Sequence, residues 1–244
     1  MSDRENLKER AYVFLRDAIV SGELEDGSQH SIYQLAEQLD ISRTPVREAV
    51  IQLAEAGFVT VQRNRGFRVH GPTVERLRDI FELRLLLEVP ATFHAATTGG
   101  AELEEKLRTA TTGMERALAE EDTLGYLAHD RAFHEHIASA AGNRRLSLTL
   151  EGLREVVRDP GAFSNFGVRD PNTIIEEHVA ITHAIVQGDP TRSAEAMREH
   201  LVRTGTVLMD RLAQSKGESA DPEWSTRLAV AFANQTAVHQ TTAS

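Results

Sequence analysis

Only one part of this 244-residue sequence alternates in hydropathy with the two-residue period of a strand. "FVTVQ" (58–62) and "FRVH" (67–70) flank the turn-forming "RNRG" (63–66), and together they read as a β-hairpin. The segments before and after it repeat with the helical period instead. A hairpin placed directly behind three helical patterns confines the N-terminal region to a winged helix-turn-helix.

The first of those patterns covers residues 7–21, where Tyr12, Leu15 and Ile19 keep one apolar stripe and Gly22 stops it. "SGELEDGSQ" (21–29) reads as a polar loop. Ser31 opens the second helix, with Gln34 as its capping-box partner and Leu35, Ala36 and Leu39 as its buried face. "DIS" (40–42) is a tight connection. Ser42 or Thr44 caps the third helix, and Pro45 is tolerated in its first turn.

Gly71 and Pro72 then interrupt the pattern, so residues 1–71 form one domain and a second begins at Thr73. Beyond that point the helical period predicts six helices, near 73–98, 101–120, 122–141, 143–158, 172–187 and 190–214. The fold class is therefore mainly α: a winged helix-turn-helix followed by an all-helical antiparallel bundle over 73–214. Residues 215–244 are a Ser/Thr/Ala-rich tail in which "PEWSTRLAVAFANQ" has the composition of one further helix.

The net charge is −10, which argues against one large nucleic-acid-coating surface but hides the distribution. Between residues 43 and 68, Arg43, Arg47, Arg63, Arg65 and Arg68 face only Glu48 and Glu55. Cysteine is absent, which excludes disulfides and thiolate metal sites. The charged N-terminus is unlike a signal peptide, and no apolar run is long enough for a membrane span. A cytoplasmic home is the expectation.

In a helix-turn-helix the second helix enters the major groove and its first residues meet base edges. Ser42, Arg43, Thr44 and Arg47 occupy that first turn and a half, with Val46, Ala49, Val50 and Leu53 on the opposite face. Arginine suits guanine O6/N7 bidentately. Arg63, Asn64, Arg65 and Gly66 form a basic wing tip able to reach phosphates or the minor groove. One such module offers little surface, so a homodimer on an inverted-repeat operator in double-stranded DNA is expected.

A second pattern lies in the helical region. Asp130 and His134 are at i and i+4 in "DRAFH", on one helical face. His178 in "EEHVAI" and His200 in "REHLVR" recur on later helices. One carboxylate and three imidazoles would make a mixed O/N site suiting zinc, nickel or another divalent first-row ion. Taken alone, the same residues read more simply as satisfied or exposed histidines, since an Asp-x-x-x-His pair is common by chance. His129, His136 and His183 lie off these faces. Arg84 and Glu88 form an i,i+4 pair on a largely apolar helix, either on the surface or turned inward, and Asn143 follows Gly142 as a helix cap.

"SGEL…LAEQLDISRTPVREAVIQLAEAGFVTVQRNRGFRV" resembles the DNA-binding domain of GntR-family bacterial transcription regulators across residues 10–70. "ELRLLLE" (82–88), "DRAFH" (130–134), "AAGNRRL" (140–146) and "EEHVAITHAIVQGDPTRSAEAMREHL" (176–201) resemble the FCD ligand-binding domain of its FadR subgroup, in order, over about 75–212. The helix count is similar to the VanR-like branch. The resemblance implies that Asp130, His134, His178 and His200 ligate one divalent ion. It also implies that Arg84 and Asn143 lie near an effector cavity, and that the protein is a regulator, most often a repressor in this family, rather than an enzyme.

Tyr33 departs from the pattern, standing where these proteins often carry a charged residue that helps contact DNA. A small organic acid is the expected effector, bound through the metal and Arg84 over a floor of Leu83, Leu87 and Ile137. The alternatives are a metal-dependent enzyme, for which Glu135 faces the wrong way to serve as base, and a regulator whose metal is purely structural.

Overall fold

A computed structural model describes residues 3–63, 65–71, 73–155 and 169–226. The described residues form two compact units, those within 3–73 together with 152–155, and those within 74–151 together with 169–226.

The first unit begins with α1 (Asp3–Val20), which starts earlier than its apolar stripe suggests. Its Ala11, Tyr12, Leu15, Ala18 and Ile19 are buried, and it packs on α3 (Arg43–Glu55). Between them runs α2 (Ile32–Gln38). Ser31 is the α2 N-cap, but its hydroxyl accepts from the Tyr33 N–H at 3.2 Å, so the capping is more local than the box read with Gln34. Ser42 is the α3 N-cap and its side chain makes no capping hydrogen bond. Val46, Ala49, Val50 and Leu53 turn inward and meet Phe58, Val59, Phe67 and Val69 from the hairpin, and all are buried. Arg43, Thr44 and Arg47 stay outside, as the helical period requires.

The hairpin consists of β2 (Val59–Gln62) and β3 (Gly66–Val69), paired antiparallel with Val61 opposite Phe67 and Gln62 opposite Gly66. The stretch expected as a plain polar loop adds a short β1 (Gln29–His30), giving a sheet ordered β1-β3-β2. Two residues are too few to show a period, which is why β1 is invisible in the sequence. Its approach explains Gly66. A Cβ there would lie 1.9 Å from the His30 carbonyl oxygen, and the residue adopts φ +87°. Only glycine fits both.

After the hairpin the six expected helices follow among the described residues: α4 (Val74–Thr98), α5 (Ala101–Ala119), α6 (Thr123–Ala140), α7 (Arg144–Glu155), α8 (Pro171–Val186) and α9 (Pro190–Ser215). Asp122, Asp170 and Asp189 cap α6, α8 and α9, and the last two are followed by proline at the first helical position. α4 packs against α6, α8 and α9, and α5 against α6 and α8. α4, α6, α8 and α9 each contribute residues to the center of the bundle.

After α9 the chain returns to the bundle at Trp224, which is 1% exposed. Its ring meets Phe81 edge-on at 6.1 Å, and its indole N–H donates to Thr206 Oγ1 at 3.0 Å. Gly205 makes room, since a Cβ there would approach both Trp224 and Phe81 within 3 Å. The rest of the helix suggested by "PEWSTRLAVAFANQ" lies outside the described residues.

Candidate functional site

In the first unit, the recognition residues and the wing line one recess. Ser31, Tyr33, Arg43, Thr44, Arg47, Val61, Gln62, Arg63 and Gly66 all border it. Ser42, Arg43, Thr44, Arg47, Arg63 and Arg65 are exposed, while Gly66 is partly covered. The structure gives Gly66 the packing role described above. Asn64 lies outside the described residues. The Arg65 N–H donates to the Gln62 carbonyl at 3.1 Å, and the Arg65 carbonyl accepts from Gln29 Nε2 at 3.0 Å, which ties the wing tip to β1.

In the second unit, His134 from α6, His178 from α8 and His200 from α9 converge. Each offers a ring nitrogen within 4.8 Å of the others, and all three are buried. Ring centroids are 5.3 Å apart for His134–His178, 5.4 Å for His134–His200 and 4.6 Å for His178–His200. Among the described residues no other histidine joins the cluster. His129, His136 and His183 stand apart from it, as the helical faces indicate.

The outer ring nitrogens are held individually. His178 Nδ1 lies 2.7 Å from the Ile174 carbonyl, which can only accept, so Nδ1 carries the proton. His200 Nδ1 lies 2.8 Å from Glu177 Oε2, and His134 Nδ1 lies 2.8 Å from Glu88 Oε2. The His178 and His200 hydrogen bonds assign the proton to Nδ1 in the neutral ring and leave Nε2 with a lone pair, whereas the short His134–Glu88 contact lies outside hydrogen-bond geometry. Such hydrogen bonds orient metal-ligating histidines.

Asp130 stands beside the three histidines, with Oδ1 3.3 Å from His178 Nε2 and its side chain 33% exposed. His178 Nε2 is buried and has no hydrogen-bond partner among the described residues. A carboxylate oxygen and an imidazole lone pair facing one another repel unless a proton or a cation lies between them. The donor set therefore fits a divalent ion bound by imidazole and carboxylate.

Burial pulls His200 below the ordinary histidine range against the opposing pull of Glu177, which keeps the ring neutral. Burial raises Glu177, but hydrogen bonds from His200, Arg169 and Arg203 bring it down to about 2. Arg169 anchors this side with NH2 on Glu177 Oε1 at 2.5 Å and NH1 on Thr204 Oγ1 at 3.1 Å.

Arg84 points inward. It is 6% exposed, its Nε donates to Glu88 Oε1 at 2.7 Å, and its guanidinium lies 5.0 Å from the center of the Phe81 ring. Between the two readings of the i,i+4 pair, the buried one holds. Asn143 sits at the exposed start of α7, where its side-chain oxygen accepts from the backbone of Arg145 and Leu146. Of the expected floor, Ile137 is buried but Leu83 is 45% exposed. Phe81, Arg84, Leu85 and Glu88 take the inward side of α4, which turns Leu83 outward.

Sequence reasoning missed Glu177, Arg169 and Tyr126. Glu177 adjoins His178 in "EEH" but serves His200 on another helix, a pairing no spacing reveals. Tyr126, one turn before Asp130, is buried, and burial followed by the Asp130 charge pushes its hydroxyl up.

A basic recognition helix with a wing, together with a helical unit that buries a histidine cluster, is the make-up of a DNA-binding regulator. Residues 7–69 match the model for bacterial regulatory proteins of the gntR family, and residues 79–203 match that for the FCD domain. The chain belongs to the GntR family, in its FCD-containing group.

It is 30% identical over 214 residues to an uncharacterized HTH-type transcriptional regulator, BphR, of Paraburkholderia xenovorans, covering 83% of this chain and 85% of that one. It is 25% identical over 219 residues to the HTH-type transcriptional repressor RspR of Escherichia coli, covering 88% and 92%. The solved structure of E. coli McbR/YncC shares the fold, with a TM-score of 0.65 at 22% identity over 83% of this chain and 96% of that one. The protein is thus a DNA-binding transcription regulator and not an enzyme. Among the described residues no helix is long and apolar enough to cross a membrane.

Proposed function

We propose that this regulator is a repressor that binds an inverted repeat as a homodimer and answers to a small organic acid through a divalent metal ion. Ser42, Arg43, Thr44 and Arg47 read the major groove, and Arg63, Asn64, Arg65 and Gly66 form the wing contact. The repressor role is supported by the similarity to RspR. The sensing role is supported by one observation: three buried imidazoles, two with Nδ1 hydrogen-bonded to separate acceptors and the third with Nδ1 against Glu88, bring ring nitrogens within 4.8 Å of one another beside Asp130.

Asp130, His134, His178 and His200 would hold the ion, with zinc or nickel suiting the donor set. When bound, it would supply an electrophilic anchor for a carboxylate. Arg84 uses Nε on Glu88, so its terminal amino groups remain as donors to a second anionic group. Asn143 is occupied as a helix cap and is left out of the proposed effector contacts.

The test is a fluorescence-anisotropy titration of a duplex selected from a random library, using metal-loaded and metal-stripped protein with a panel of hydroxy-, keto- and dicarboxylic acids. At least one acid should shift DNA affinity in the metal-loaded protein alone. Acids acting equally on stripped protein or on Arg84→Ala would refute this effector mechanism. Metal uptake with no acid response would leave the ion a purely structural role.

A further inference from the structure

Tyr33 borders the recess lined by the recognition residues and the wing. It is 51% exposed, a large aromatic that the core does not account for. Its ring lies under Arg43, whose guanidinium carbon is 5.2 Å from the ring center. Both residues border the recess with Thr44, Arg47, Arg63 and Gly66.

We infer that Tyr33 is a specificity-positioning residue, which holds the Arg43 side chain in the pose that reads one base pair. This rests on the DNA-facing assignment of that recess. The Tyr33 backbone is anchored because its N–H donates to the α2 cap, Ser31. Arg43 is the first residue of α3, so its side chain leans back past the helix start toward α2. A free arginine must give up rotamer freedom when it docks on a base. A side chain already stacked on a ring has lost part of that freedom beforehand.

The type of partner matters. Among the described residues no carboxylate pairs with Arg43. A carboxylate would orient the guanidinium but neutralise it and occupy its in-plane donors. An aromatic face orients it while leaving the charge and the N–H edge available to guanine O6/N7. A charged side chain at this position would contribute a phosphate contact shared by all sequences. A ring acting through Arg43 instead contributes to discrimination, at the base pair Arg43 reads.

The test uses full-length protein and a randomised duplex library to define the preferred sequence, followed by affinities for every single-base variant of it. Arg43→Ala should lose discrimination at one base pair by on the order of 5- to 150-fold. Tyr33→Ala should lose it at the same base pair by about 2- to 5-fold, with the salt slope and the other positions unchanged. Tyr33→Phe keeps the ring face and should match the wild type, whereas Tyr33→Leu keeps bulk without the face and should match Tyr33→Ala.

The Tyr33→Ala/Arg43→Ala double variant should match Arg43→Ala. A uniform loss across all sequences with a smaller salt slope would overturn the inference in favor of a phosphate contact. So would additive losses in the double variant, or Tyr33→Phe behaving like Tyr33→Ala. If the wild type selects no sequence at all, the recess assignment itself has failed.

Discussion

Glu88 stands between Arg84 and His134, accepting from Arg84 Nε at 2.7 Å through one oxygen and facing His134 Nδ1 at 2.8 Å through the other. Both ends of this chain are buried, and so is Glu88, at 2% exposed. One carboxylate thus sets the pose of the proposed effector clamp and of a proposed metal ligand.

Removing Glu88 alone should therefore be costly. Glu88→Ala leaves the Arg84 charge buried without compensation, which typically costs about 3–5 kcal/mol. Arg84→Met/Glu88→Leu removes both charges and should be more stable than either single variant. Metal affinity should fall by about 10- to 100-fold in Glu88→Gln, since the orienting contact to His134 weakens. Urea denaturation and metal titration check the two halves separately.

Alanine substitution of His134, His178 or His200 should abolish stoichiometric zinc or nickel uptake, measured by elemental analysis and calorimetry. Asp130→Ala should weaken binding while leaving the imidazole set in place. His136→Ala should do neither. Retained uptake in all three histidine variants would remove the site from this part of the bundle.

Acidification should destabilise the metal-free protein in two stages. His200 has a folded pKa below its unfolded value near 6.5, so the unfolded state binds more protons and stability falls as pH drops below about 6.5. Glu177 titrates at about 2 when folded against 4.5 as the reference value, so its contribution is complete above about 4.5 and lost between there and 2. The second stage is worth on the order of 2–3 kcal/mol. In denaturation series against pH, Glu177→Gln should flatten the lower stage. An unchanged lower stage in that variant would show that Glu177 is not its source.

On the DNA side, Arg47→Ala should cost about 1–3 kcal/mol and relax preference at one base pair. Arg65→Ala should weaken all duplexes alike and lower the slope of log affinity against log salt by about one. Anisotropy at several salt concentrations distinguishes the two, and interchanged behavior would reassign helix and wing.

The helix-turn-helix and hairpin were legible because burial periodicity, capping residues and turn residues agree over residues 31–70. Asp130 and His134 were legible as a pair because i,i+4 spacing is local. The orienting shell was not. Glu177 serving His200 from another helix and Arg169 reaching Thr204 arise from how α8 and α9 pack, which leaves no mark on spacing. Arg84 and Glu88 showed the right spacing but not the side they face, because α4 also turns Leu83, Leu86 and Phe93 outward and so carries no clear moment to orient it.

Trp224 is the sole tryptophan of the chain. All indole emission therefore comes from one buried ring against Phe81, whose other neighbor is Arg84. The molecule carries its own optical probe two side chains from the proposed clamp, so ligand titrations can be followed without a dye or label. The same geometry sets a limit on shortening the chain, because a truncation before Trp224 would bare Phe81 and Gly205 to water and silence the probe at once.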